Sequence, residues 1–244
     1  MARTLTIGDI HGGLKGLQQV LKRAKITEDD HLIFLGDYVD GWGESAQTVD
    51  FLISLSRKHN CTFLRGNHDD LVFHWLLGRD MAESWYIHGG KATLKSYAEY
   101  SEEQKKEHLK FYRSLKDYYL DDQNRLFAHA GFQNRNGVEL EYHNTAFYWD
   151  RTLWEMCAAM DESITPDDPR YPQRLSHYNE IYIGHTPVTL LGYSTPVNRA
   201  NVWNVDTGAA FKGPITILDI DTKEVWQSDP VFEHYPDEEG RNKS

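Results

Sequence analysis

Cysteine is scarce in this chain, basic charge is in the minority, and long apolar runs are missing. Two cysteines in 244 residues, Cys61 and Cys157, cannot build a disulfide framework, and neither has a spacing suited to zinc or redox chemistry. Both read as small buried residues. No apolar run approaches the roughly 20 residues that span a bilayer, so no membrane partner is expected. A strand pattern begins at Thr4, which leaves no room for a signal peptide, and the expected location is the cytoplasm. Lys and Arg number 26 against 37 Asp and Glu, for a formal charge of -11 and a pI near 5.5. The basic residues are scattered instead of forming a track, which argues against a nucleic-acid partner and against a phosphodiesterase or nuclease acting on a polymer. An anionic substrate would need local positive charge, and bound divalent cations are the means by which an acidic protein can supply it.

With 40% apolar residues, 244 positions suffice for one large domain, 1–244. The first eighty residues alternate strand and helix. LTIG is followed by a helix with Leu14, Leu17, Val20, Leu21 and Ala24 on one face, then by LIFLG, a second helix over SAQTVDFLISLSRKH, and the strand CTFLRG. That alternation predicts parallel strands with right-handed crossovers and ligands at the carboxyl ends of the strands. Residues from about 69 to 117 read as a helical, cap-like insertion without a site motif, in which Ser101 and Gln104 have capping-box spacing. A hairpin is expected to turn at Gln123 and Asn124, and another at Thr222 and Lys223. The polar tail after residue 235 is expected to fray.

Five segments carry the chemistry: GDIHG from Gly8, GDYVDG from Gly36, GNHD from Gly66, FAHAG from Phe127 and IGHTP from Ile183. They supply Asp9, His11, Asp37, Asn67, His129 and His185, a carboxylate, amide and imidazole set that suits two adjacent divalent transition metals. Taken singly, each segment reads equally well as a turn or an ordinary histidine. Their joint occurrence, nearly all behind strand-like runs, favours one shared site on a sheet edge. Asp206 in NVDTG reads either as an outer partner that orients a histidine ligand or as a turn aspartate before Thr207 and Gly208.

These blocks, in this order, resemble the phosphoprotein phosphatase branch of the calcineurin-like metallophosphoesterases, from Gly8 to about Gly208. The segments WYIHGGKATLKSY and NVDTGA are similar to those of bacterial and phage-type protein phosphatases and of symmetrical dinucleoside polyphosphate hydrolases. The resemblance implies an α/β fold, a four-layer α/β/β/α sandwich of two mixed sheets with a dinuclear metal site at the strand-end edge. It implies that Asp9 and His11 hold the first metal, that Asp37 bridges both, and that Asn67, His129 and His185 hold the second. His68 would be the general acid, oriented by Asp40. Metals about 3.5 to 4 Å apart lower the pKa of a shared water toward neutrality for in-line attack on phosphorus, and a histidine beside a carboxylate is expected to stay protonated near neutral pH. Manganese is the expected ion, with iron or zinc as alternatives.

One departure stands out. Relatives commonly carry an arginine after GDxVD, a bidentate phosphate clamp, and this chain has Gly41. Arg151 in FYWDRTLW matches a second phosphate-binding arginine of phage-type phosphatases, while Lys91, Arg135 and Arg199 are free to replace the lost clamp. Trp42 is a candidate to pack on an aromatic leaving group such as phosphotyrosine. The expected activity is metal-dependent phosphomonoester hydrolysis on a phosphorylated protein or small phosphoester. A symmetrical dinucleoside polyphosphate hydrolase is the alternative enzyme, and a non-catalytic metal-binding scaffold is the alternative of another class.

Overall fold

A computed structural model describes residues 2–242. The first sheet is built from β1 (Thr4–Ile7), β2 (His31–Phe34), β3 (Asn60–Phe63), β9 (Thr216–Asp219) and β10 (Val225–Gln227), in the order β10-β9-β1-β2-β3. β1, β2 and β3 are parallel, as their alternation with helices predicts, and β9 and β10 add antiparallel. The second sheet holds β4 (Tyr118–Leu120), β5 (Arg125–Ala128), β6 (Glu180–Ile183), β7 (Val197–Arg199) and β8 (Val202–Asn204), in the order β4-β5-β6-β8-β7, also mixed. Both expected hairpins form, and Asn124 and Lys223 take positive φ angles of 57° and 62° at their turns.

The period-two alternation of the strands assigns each side chain to a layer. Ile33, Leu35, Phe127, Tyr182, Val205 and Leu218 face inward and form the core between the sheets. There Phe127 and Tyr182 stack with centroids 4.9 Å apart. Each buried side chain of this size contributes roughly 1.5–3 kcal/mol. The opposite faces of the first sheet, with Leu5, Ile7, Leu32 and Phe34, pack under α1 (Leu14–Arg23) and α2 (Ser45–Leu55). The second sheet presents Leu126, Ile181, Ile183 and Val202 to α7 (Ala146–Trp149) and α8 (Thr152–Ala159). The result is the four-layer α/β/β/α arrangement that the resemblance implies.

The stretch 67–114 is helical, with α3 (Asn67–Leu76), α4 (Glu83–Trp85), α5 (Lys91–Ser96) and α6 (Glu102–Ser114). Ser101 and Gln104 form the expected capping box, with Gln104 Oε1 accepting the Ser101 N–H at 3.0 Å. These helices belong to the core cluster over the first sheet, in which Phe111 meets Tyr38 and Phe63 edge-on or tilted. Trp42 is part of that same core. It is fully buried, donates its indole N–H to Ala209 O at 2.7 Å and stacks on Tyr235 at 5.5 Å, so it cannot pack on a leaving group. From 236 to 242 the tail is anchored, not frayed, with Glu238 accepting the Gly43 N–H at 2.6 Å and Arg241 N donating to Ala210 O at 2.9 Å, and its last two residues lie outside the described residues.

Candidate metal centre

Each candidate ligand sits just past a strand, where the chain turns away from the sheet edge. Asp9 and His11 follow β1, Asp37 follows β2, Asn67 opens α3 after β3, His129 follows β5 and His185 follows β6. All six are buried. His11, Asp37, Asp40 and His185 hold φ angles of 54°, 55°, 67° and 68°. The left-handed region is uncommon for residues other than glycine, and its recurrence at one site marks local strain maintained by the surrounding fold.

Asp37 is the hub. One of its oxygens, Oδ1, accepts the backbone N–H of His68 at 2.9 Å, at the N-terminus of α3 where the helix dipole favours a carboxylate. Its Oδ2 lies 3.5 Å from His11 Nε2 and 3.4 Å from His129 Nε2. His11 Nε2 is also 3.6 Å from Asp9 Oδ2. Asn67 Oδ1 lies 3.3 Å from His129 Nε2 and 3.0 Å from His185 Nδ1. Two carboxylate and imidazole groupings result, His11 with Asp37 and His68, and Asp37 with His129 and His185.

The donors fit a pair of divalent cations. His11 Nδ1 donates to Asp40 O at 2.8 Å and His129 Nδ1 to Leu35 O at 2.9 Å, which leaves Nε2 of each ring facing Asp37. His185 Nε2 is buried with no partner. Backbone carbonyls therefore orient His11 and His129. Asp206 does not: its Oδ1 accepts the Gly208 N–H at 2.9 Å, the turn-aspartate reading. Glycines clear the space, since a Cβ at Gly184 would lie 2.2 Å from Asp9 Oδ1 and one at Gly66 2.1 Å from Asp37 Oδ1.

Electrostatics follow from crowding. Burial would raise the Asp37 carboxyl, yet the charges of His129 and His68 hold it well below the usual range. Burial disfavours protonated His129, but Asp37 overcomes this and lifts it to about 9. Burial, with the charge of Asp37, pushes Asp69 to about 8; burial, with Asp9, does the same to Asp206. Burial and the charge of His129 press His185 well below its ordinary value.

His68 and Asp40 meet as expected, with Nδ1 2.8 Å from Oδ2. Burial lowers the pKa of His68, against the opposing pull of Asp37 and Asp40. Asp40 also divides its charge among other donors, taking the Trp85 indole N–H at 2.6 Å and the Thr93 hydroxyl at 2.5 Å. The helical insertion thus does reach the site. Asp69, the last residue of GNHD, accepts the N–H groups of Gly66, Asp37 and Tyr38 at 2.8 to 2.9 Å and ties the second and third loops together. Trp85, Thr93 and Asp69 were given no role from the sequence, although Asp69 lies in the GNHD block and Trp85 and Thr93 in the quoted WYIHGGKATLKSY segment.

Two cavities adjoin the cluster. One, of about 320 Å³, is lined by Asp37, Asn67, His68, Trp85, Trp149 and His185 among others. The second, about 450 Å³, is lined by His11, His185, Pro187, Leu190, Asp206 and Phe211 among others. Arg151 and Arg241 line both, and Arg151 Nη1 donates to Thr186 Oγ1 at 3.0 Å. Arg135 and Arg199 are engaged elsewhere, on Gln173 and on Tyr193. Lys91 lines a separate cavity together with Gly41.

The fold and the buried His/Asp cluster together define a metal-dependent phosphoester hydrolase. The profile of the calcineurin-like phosphoesterases matches residues 2–209, and the chain belongs to that family. It is 28% identical to a bis(5'-nucleosyl)-tetraphosphatase PrpE [asymmetrical] of Anoxybacillus flavithermus, over 87% of this chain and 88% of that one. A serine/threonine phosphatase of Saccharomyces cerevisiae superposes with a TM-score of 0.63 at 14% identity, covering 94% of this chain and 83% of the other. A cold-active protein-tyrosine phosphatase of Shewanella gives 0.59 at 16% identity, covering 94% and 81%. No helix among the described residues is long and apolar enough to cross a membrane.

Proposed function

We propose that the chain hydrolyses dinucleoside polyphosphates with two divalent ions, manganese first among them. Asp9 and His11 would hold one ion, Asn67, His129 and His185 the other, and Asp37 both. When bound, the ions supply Lewis acidity and a water activated near neutral pH. The observation that carries the choice of substrate is the pair of cavities meeting at Arg151, His185 and Arg241 beside the ligand cluster. A polyphosphate needs cationic contacts at the centre, and a substrate with a nucleoside at each end needs two apolar-walled lobes. Trp149, 46% exposed, offers a stacking surface in one lobe, and Phe211 in the other. The likeness in sequence to tetraphosphatases supports the same reading.

Within the chain, His68 keeps Nδ1 on Asp40 and turns its other ring nitrogen to the cavity it lines. From there it would pass a proton to the departing phosphate oxygen, while Arg151 would steady the phosphates at the rim. Phosphoprotein hydrolysis is the second reading. It is favoured by the exposed rim residues Trp149 and Leu190, which leave room for a macromolecular substrate. Product analysis separates them. Metal-reconstituted protein given a dinucleoside tetraphosphate is expected to release nucleotides, and the position of cleavage, symmetrical or asymmetrical, reads directly from the products. Phosphate from phosphoserine or phosphotyrosine peptides with no nucleotide products would overturn the proposal in favour of the second reading.

A further inference from the structure

The arginine missing after GDYVD leaves the acidic site one cation short, and the C-terminal segment brings one to the same place. A Cβ built on Gly41 would lie 3.8 Å from Cγ of Arg241, so the stem of Arg241 passes over the spot where a side chain at 41 would begin. Gly41 itself sits at φ 144°, and a Cβ there would press on His11 O at 3.0 Å. A larger residue at 41 is therefore disfavoured by the backbone and by His11, while Arg241 lies within ordinary contact of the position.

We propose that Arg241 is a phosphate-binding residue of this enzyme, a guanidinium delivered by the C-terminal segment in place of one after GDYVD. Four observations carry it. Arg241 lines both cavities that adjoin the ligand cluster. Among the described residues, no carboxylate lies within 4.0 Å of its guanidinium, although the segment before it reads Asp237, Glu238 and Glu239. Its Nε is buried without a hydrogen-bond partner, a costly arrangement unless a ligand completes it. Its position is fixed, with the backbone N–H on Ala210 O, the guanidinium carbon 5.4 Å from the Phe211 ring centroid, and Gly240 closing on Trp42, where a Cβ would be 2.7 Å from the indole.

A planar guanidinium matches two phosphate oxygens at once, and Arg241 with Arg151 would hold a phosphoryl group between them. Trp42 then gains a role that its sequence did not suggest. It is the floor on which Tyr235 and Gly240 set the segment. The inference rests on phosphoester hydrolysis and not on the choice of nucleotide or protein substrate.

The test uses the full-length, manganese-loaded protein with p-nitrophenyl phosphate as substrate and inorganic phosphate as inhibitor, comparing wild type with R241M and R241K. Met keeps the aliphatic stem on Phe211 and removes the donors, so folding is preserved where Ala would risk undocking the segment. R241M is expected to raise both KM and the inhibition constant of phosphate at least about ten-fold, with kcat and metal content little changed and R241K intermediate. Calorimetric titration of inorganic phosphate gives the same comparison without turnover, so it holds even if the preferred substrate is misassigned. R241M within two-fold of wild type in phosphate affinity, or a rise in KM without a matching loss of phosphate affinity, would overturn the proposal.

Discussion

His68 Nδ1 lies 2.8 Å from Asp40 Oδ2, and the same oxygen takes the indole N–H of Trp85 at 2.6 Å. The imidazole is thereby aimed from two elements, the loop after β2 and the helical insertion. H68N is expected to lower kcat about 10²–10⁴-fold on substrates with poor leaving groups, and much less on aryl phosphates, whose oxygen departs without a proton. W85F keeps the ring and loses the donor, so a loss in kcat of roughly ten-fold with KM unchanged is expected. Steady-state kinetics on an alkyl and an aryl phosphate checks both, and equal losses on the two substrates would argue against proton donation by His68.

Gly184 packs against Asp9 so closely that a methyl group there would lie 2.2 Å from Oδ1. Rotating the carboxylate away would take a proposed ligand from the cluster without opening the core. G184A is expected to weaken metal binding about ten-fold or more, with the melting temperature of the metal-free protein near that of wild type. Metal titration followed by calorimetry gives the answer, and wild-type affinity would show that Asp9 is not a ligand.

Acid sensitivity has an identifiable source at the entry to β2. Burial would raise the Asp30 carboxyl, but Arg3, 2.6 Å away, and the Thr27 N–H hold it at about 2 against an ordinary 3.8. Because the folded value is depressed, the stabilisation is present above pH 4 and drains away as pH falls from 4 toward 2. It amounts to about 2 kcal/mol. D30N is expected to lose that amount at pH 7 and to flatten the stability profile below pH 4, as measured by urea unfolding across that range. A parallel shift of the profile, with its slope intact, would place the acid sensitivity elsewhere.

Much of this was legible in the sequence because strand-end loops place motif residues by a short-range rule. Gly8 to His11, Gly36 to Asp40 and Gly66 to His68 each follow a strand whose alternation fixes its register, so four of the six donors converge where three parallel strands do, and His129 and His185 follow the paired β5 and β6 of the second sheet. Residues whose role depends on distant packing were not legible. Trp42 read as a candidate to pack on an aromatic leaving group, and burial under Tyr235, nearly two hundred positions away, makes it core. Arg241 sat in a polar stretch that read as a frayed end, since nothing local shows that Glu238 meets Gly43.

The most direct measurement is the metal content of reconstituted wild-type protein and of D37N, determined by elemental mass spectrometry after removal of free ion. Two ions per chain in the wild type, and fewer than two with hydrolysis lost in D37N, are expected if Asp37 joins the two halves of the cluster. One ion or none in the wild type, or full occupancy and activity in D37N, would contradict a dinuclear centre built on these residues.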